Sequence, residues 1–246
     1  MTRWKITVEY DGSGFCGWQK QARDLSVQQV LEEAVQKFSG ETVTLHGAGR
    51  TDAGVHARAQ AAHFDLAKET TGEVVRDALN FYVKPHKIAV LLAEQVSDEF
   101  HARFGALSRS YYYQIVNRRP PLALLRDQAW HVPKPLDIGP MKEAAALLIG
   151  KHDFSTFRAQ NCQSKSPVKT LDVLDIARDG ELVIFRTTAR SFLYHQVRNM
   201  VGTLVMVGSG QWTAEDFQKA FEAKDRARGG PTAPAQGLFF DKVTYS

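Results

Sequence analysis

Cysteine is almost missing from this 246-residue chain, which has only Cys16 and Cys162. They form no CxxC pair and no paired zinc spacing, so neither a disulfide framework nor a structural zinc site can be read from them. The eight histidines are scattered and make no HExxH pair, which leaves no catalytic metal motif. Long apolar runs are also missing. The longest lies around residues 200–208, well short of the roughly 20 residues needed to cross a membrane. Met1 leads within a few residues into a strand-like alternation, so no secretory leader is expected. These absences predict a reduced, cytoplasmic setting with no membrane partner and no metal.

The remaining composition, 43% hydrophobic and 24% charged, is that of an ordinary globular chain long enough to bury one or two cores. Net charge is only +4, but it is unevenly spread. Acid is missing from Phe100 to Arg126, which holds Arg103, Arg109, Arg118, Arg119 and Arg126. It is missing again from Phe154 to Leu171, with Arg158, Lys165 and Lys169, and from Leu182 to Ala214, with Arg186, Arg190 and Arg198. Stretches of this kind would suit a phosphate backbone if they share a face, and otherwise are solvated surface charge.

Ile6, Val8 and Tyr10 alternate with polar neighbours, predicting a strand that ends at Asp11-Gly12. Ser26 with Gln29 reads as a capping box opening a helix that Gly40 ends. Strands are expected at 42–47, 57–65, 87–95 and 109–117, with a helix near 72–82. In the second half a helix fits 138–149, and residues 170–177 and 181–189 read as a hairpin about Asp179-Gly180. Ser191 is expected to cap a long apolar helix reaching about Val207, Thr213 opens another, and a strand closes the chain near 238–244. The pattern predicts an α+β fold in two halves, 1–105 and 106–246, with a soft boundary.

Four motifs bear on chemistry. Gly12, Gly14 and Gly17 satisfy G-x-G-x-x-G after a strand, but eight residues separate them from the helix at Ser26. The pyrophosphate of a dinucleotide needs a helix N-terminus directly after the glycines, so an oxidoreductase reading is disfavoured. Residues 47–57 crowd Gly47, Gly49 and Gly54 around Arg50 and Asp52. Such a loop either presents a carboxylate at a cleft floor, with Arg50 free to orient a phosphate, or holds a structural Arg50–Asp52 pair. Ser108-Arg109-Ser110-Tyr111-Tyr112-Tyr113 falls in a strand, with Tyr111 and Tyr113 on one face. Tyr113 suits packing, and Tyr111 beside arginines suits stacking on an unpaired base. Finally His195, Arg198, Asn199 and Gly202 share one face of the apolar helix, aimed at solvent or into a cleft. The Pro/Gly turn from Pro231 to Gly237 is the kind of loop that rims a site.

Residues 10–19, the run Gly49-Arg50-Thr51-Asp52-Ala53-Gly54-Val55-His56, residues 100–104, Tyr111-Tyr112-Tyr113, residues 152–157, residues 192–202 and residues 233–238 occur together and in order. As a set they resemble the tRNA pseudouridine synthase A family along essentially the whole chain. One departure is Asn80 to Ile88, where the family more usually has Leu-Pro followed by acidic residues. The resemblance implies conversion of uridine to pseudouridine at positions 38, 39 and 40 of the tRNA anticodon arm. It further implies a homodimer without metal or cofactor, and a subunit of two similar α/β halves around a central antiparallel sheet flanked by helices. Carried over by residue, Asp52 is the catalytic carboxylate and Tyr111 stacks on the target uracil. Arg198 is the cation pairing with Asp52, and Arg50 is associated with base flipping.

The chemistry is consistent with these roles. The reaction breaks the bond from uracil N1 to the sugar, turns the base and rejoins it through C5. Reactant and product are isomers, so neither a hydride carrier nor an energy donor is needed. An ionised carboxylate in a site that excludes water is. The competing expectation is a non-catalytic RNA-binding module, which explains the basic stretches but not an acid in the glycine-rich loop.

Overall fold

A computed structural model describes all 246 residues. The chain forms two compact units, one comprising Met1–Leu107 with Phe239–Ser246 and the other Ser108–Leu238. The last strand therefore leaves the C-terminal half, in which the division at 105 had placed it.

In the first unit, β1 (Thr2–Tyr10) pairs antiparallel with β3 (His56–Leu66) on one side and β4 (Ile88–Val96) on the other. Strand β2 (His46–Gly47) joins β3 antiparallel, and β10 (Leu238–Thr244) joins it parallel. The expected strand at 42–47 is thus cut to two residues. Its Leu45 backbone is held instead by side chains of α1 (Val27–Ser39): Gln28 donates to Leu45 O at 3.1 Å, and Leu45 N–H donates to Glu32 at 3.1 Å. Ser26 caps α1 by accepting from Gln29 N–H at 3.2 Å. The Gln29 side chain reaches Glu33 rather than the cap, so only half of the expected box is made. Gly40 closes the helix at φ 78°. Helix α2 (Gly72–Tyr82) is tied to β4 by Asn80, whose amide brackets Val90 N–H and C=O at 2.8 Å each.

In the second unit, β5 (Ser108–Asn117) pairs antiparallel with β9 (Leu182–Ala189), β9 with β8 (Val168–Asp179), and β8 with β7 (Gly150–Asp153). Strand β6 (Trp130–Val132) runs parallel to β5. The β8–β9 turn passes through Gly180 at φ 55°, as expected of a tight hairpin. Helix α3 (Ile138–Ala146) packs on β8, on α4 (Gln196–Gly208) and on α5 (Ala214–Glu222). Helix α3 stops three residues early, and residues 147–149 tighten into i→i+3 turns before Gly150. Helix α4 begins later than Ser191 predicts. His195 adopts φ 60°, which breaks the helix, and the Gln196 side chain reaches back to accept from Leu193 N–H at 2.8 Å. Helix α5 carries a full capping box between Thr213 and Asp216.

The class is α+β, with parallel pairs at β3–β10 and β5–β6 beside the antiparallel pairing. No helix is long and apolar enough to cross a membrane.

A histidine cluster at the β2–β3 pair gives the first unit a pH dependence. His63, 2% exposed, stacks on His46 at 5.0 Å and meets His101 edge-on at 4.7 Å, beside a cavity of about 330 Å³. Its Nδ1 accepts from Ala102 N–H at 3.2 Å. Burial, then the like charges of His101, His46 and Arg3, lower its pKa from 6.5 to about 4, against an opposing pull from Asp65. The folded state therefore excludes a proton that the unfolded chain takes up between those values. Stability is fully present above pH 6.5, falls as pH drops through the window and levels off below about 4. Urea midpoints measured from pH 7.5 to 4.0 should show this decline, and His63→Gln should flatten it. An unchanged slope in the variant would mean that other groups carry the effect.

Candidate active site

The loop between β2 and β3 is built on backbone. Thr51 C=O accepts from Trp18 N–H at 3.1 Å, Asp52 forms an antiparallel bridge with Gly17, and Val55 N–H donates to Asp52 O at 3.1 Å. The glycines at 12 and 17 are what permit this approach. A Cβ on Gly12 would lie 2.1 Å from Val55 O, and one on Gly17 would lie 2.4 Å from Thr51 O. Gly47 in turn lies under the Trp18 ring, 2.6 Å from where its Cβ would be. The G-x-G-x-x-G run, set aside above as a failed dinucleotide motif, is thus the clamp on the Asp52 loop. Its glycines lead into no helix, since α1 starts at Val27.

The same loop is gripped from beneath. Tyr10, at the end of β1, is buried, and its hydroxyl lies 2.7 Å from Thr51 Oγ1. Gln60 of β3 donates to Gly49 O at 2.8 Å. On the far side Gly12 N–H donates to His56 Nδ1 at 3.0 Å. That nitrogen therefore accepts, although the Asp11 carboxylate is 3.2 Å from it, and the ionic partner of Asp11 is Lys87 at 2.9 Å. Burial alone would raise the Asp11 pKa, but hydrogen bonds from Ser13 and Lys87 together hold it below its ordinary value. Within this frame Thr51 is buried, Asp52 is half-buried and Arg50 is exposed. Tyr10, Trp18, Gln60 and His56 were not among the predicted site residues. A polar Gln60 and His56 on a strand otherwise facing the core was the available signal.

In the second unit, Tyr111 is half-buried on β5, with its ring edge-on to Phe192 at 5.2 Å. Tyr113, on the same face, is fully buried, and its hydroxyl donates to Pro234 O at 2.8 Å. Burial raises its pKa, so it stays a protonated core residue. Arg198 is held by the turn that precedes β10: its Nε donates to Ala233 O at 2.8 Å, and Ala233 N–H donates to Arg198 O at 3.1 Å. Its Nη1 lies 3.2 Å from His195 Nε2.

The expected polar stripe on α4 proves to be mixed. Asn199 is buried, donates to Phe157 O at 2.9 Å and accepts from Thr232 at 2.6 Å and Arg226 at 3.2 Å. Gly202 faces neither solvent nor cleft, because Pro231 O lies 1.8 Å from where its Cβ would be. Of that face, Asn199 and Gly202 anchor the 226–233 segment, and that segment anchors Arg198.

Comparison with known proteins adds chemistry to this geometry. The tRNA pseudouridine synthase family signature matches residues 6–105 and 144–246. The tRNA pseudouridine synthase A of Paramagnetospirillum magneticum is 58% identical over 246 residues, covering 100% of this chain and 96% of that protein. That of Rhodospirillum centenum is 58% identical and that of Xanthobacter autotrophicus 55%, each over 245 residues and 100% of both chains. The chain belongs to the tRNA pseudouridine synthase family. As a tRNA pseudouridine synthase it is an isomerase acting on uridine in tRNA. Membership decides for the enzyme over a non-catalytic RNA-binding module.

Proposed function

We propose that this synthase isomerises uridines 38, 39 and 40 of the tRNA anticodon arm, with Asp52 as the nucleophile or base. The observation that carries the reading is the construction of the Asp52 loop, clamped through Gly17, Thr51 and Val55, with Asp52 itself half-buried. Holding a reacting group in place removes orientational freedom before the reaction, and this is a large share of catalysis in a displacement with no cofactor. Tyr111 stacks on the uracil once it has left the helix. Arg50 and Arg198 bind the RNA, their positive charge offsetting the few kcal/mol that unstacking costs. The enzyme acts in the cytoplasm as a homodimer, without metal or cofactor, and its division of labour follows an N-terminal Asp52 half and a C-terminal Tyr111 and Arg198 half.

Release of tritium from tRNA labelled at uridine C5, with carbodiimide mapping of the product, tests the positions. Product should appear at 38–40, and a transcript with cytidine at all three should release nothing. Release unaffected by that replacement would overturn the assignment. For Tyr111, the Phe variant keeps the ring but loses the hydroxyl. The resemblance also implies that the Tyr111 hydroxyl helps move the proton from uracil C5, so tRNA affinity should match the parent while turnover falls by about a hundred-fold, the size of effect expected for a proton-transfer group. Unchanged turnover would confine Tyr111 to stacking.

A further inference from the structure

Beneath the Asp52 loop lies a set of buried polar side chains with no evident need to be polar. Tyr10 and Gln60 are 3% and 0% exposed, and Thr51 is 7% exposed. The Tyr10 hydroxyl lies 2.7 Å from Thr51 Oγ1, and the Gln60 amide donates to Gly49 O at 2.8 Å. The Gln60 carbonyl oxygen is buried without a donor, an arrangement that costs stability and that an apolar residue would avoid. What the three side chains accomplish together is to tie down Gly49 and Thr51, the residues on either side of Arg50, with Asp52 next in the chain.

We propose that Tyr10, Thr51 and Gln60 form a positioning relay that sets the location of the Asp52 carboxylate, acting through the loop backbone and not by touching the substrate. This rests on Asp52 being the reacting carboxylate. The backbone clamp to Gly17 and Trp18 holds the loop from one side only. The side-chain relay supplies the second side, so that Thr51 cannot rotate about the clamp and swing the next residue. Burial keeps the Tyr10 hydroxyl protonated, with its pKa raised, so the link is a standing neutral hydrogen bond insensitive to pH in the working range.

A merely structural role and a positioning role part company in a double-mutant comparison. Thr51→Val keeps the shape of threonine and deletes its hydroxyl, Tyr10→Phe deletes the partner, and the double variant deletes both. Removing one partner leaves a buried group unsatisfied, whereas removing both is close to neutral for stability. Each single variant should lose about thirty-fold in the single-turnover rate of tritium release, since small displacements of a reacting group cost up to about a hundred-fold. tRNA affinity should stay within three-fold of the parent, and Thr51→Ser should recover most of the rate. The double variant should regain the melting temperature of the parent yet remain slow. If its rate recovers along with its stability, or if Thr51→Val turns over within three-fold of the parent, the relay is refuted.

Amide hydrogen exchange across residues 47–55 gives a readout independent of activity. Faster exchange in Thr51→Val than in Thr51→Ser supports the relay, and equal protection in the two counts against it. Turnover within ten-fold of the parent in Asp52→Asn would refute the catalytic assignment of Asp52, and the exchange comparison would still decide whether the relay holds the loop.

Discussion

Asp52→Asn should abolish pseudouridine formation while leaving the protein folded and bound to tRNA. The substitution is isosteric, and the loop is held by backbone at Gly17, Thr51 and Val55 and by the Tyr10, Thr51 and Gln60 side chains, all of which it keeps, so the loop should hold its shape. What disappears is the negative charge. An amide cannot serve as nucleophile at the sugar or as base toward the uracil, so turnover should fall on the order of ten-thousand-fold, as when a nucleophile or its base is removed elsewhere. Affinity for tRNA should hold or rise slightly, because one repulsion toward phosphate is removed. Single-turnover tritium release beside filter binding separates the two effects. Turnover within ten-fold of the parent would remove Asp52 from the chemistry.

A second large effect is expected at Gly17, thirty-five positions before Asp52 in the chain and in contact with it in the fold. Gly17→Ala faces two penalties at once. The backbone stands at φ 109°, where a Cβ is strained, and that Cβ would lie 2.4 Å from Thr51 O and 3.0 Å from the Asp52 carbonyl carbon. Gly14 is the internal control, since it also has positive φ, 85°, but open space where its Cβ would go. Gly14→Ala should therefore show conformational strain alone, about 1–2 kcal/mol. Gly17→Ala adds an overlap that only loop movement relieves, for a total of about 3 kcal/mol or more. Denaturant midpoints of the two variants give the difference directly. In the fraction that stays folded, Gly17→Ala should also depress turnover, because relieving the overlap shifts the residues that carry the carboxylate. Equal destabilisation of the two variants would mean that the close approach is not tight.

Gly12 and Gly17 show why part of the candidate site could be read in advance and part could not. The Asp52 loop stands out in the sequence because glycines and an acid are dense within a few residues of each other. The purpose of Gly12 and Gly17 is hidden, because the backbone they accommodate lies some forty positions further on. The same holds for α4. Its apolar face follows from spacing, but the surroundings of Asn199 and Gly202 come from Arg226, Pro231 and Thr232. Spacing alone left that face open to solvent or a cleft, whereas the fold closes much of it with its own chain.

Local chemistry was enough to settle α1 and α5, with Ser26, Gly40 and Thr213 at their ends, and the β8–β9 hairpin at Gly180. Caps and tight turns are satisfied by residues a few positions away, so their information is in the sequence itself. The start of α4 was decided otherwise, by His195 turning to φ 60° and Gln196 reaching back to Leu193. The pairing of β10 with β3 joins segments far apart in sequence, and so does the clamp on Asp52, which joins the loop after β1 to the loop before β3. Sequence by itself therefore determined the family and most of the elements, and it singled out the Asp52 loop as a candidate. Tertiary structure decided how that acid is held, because a hydrogen bond or a close approach between distant segments exists only once the chain has closed on itself.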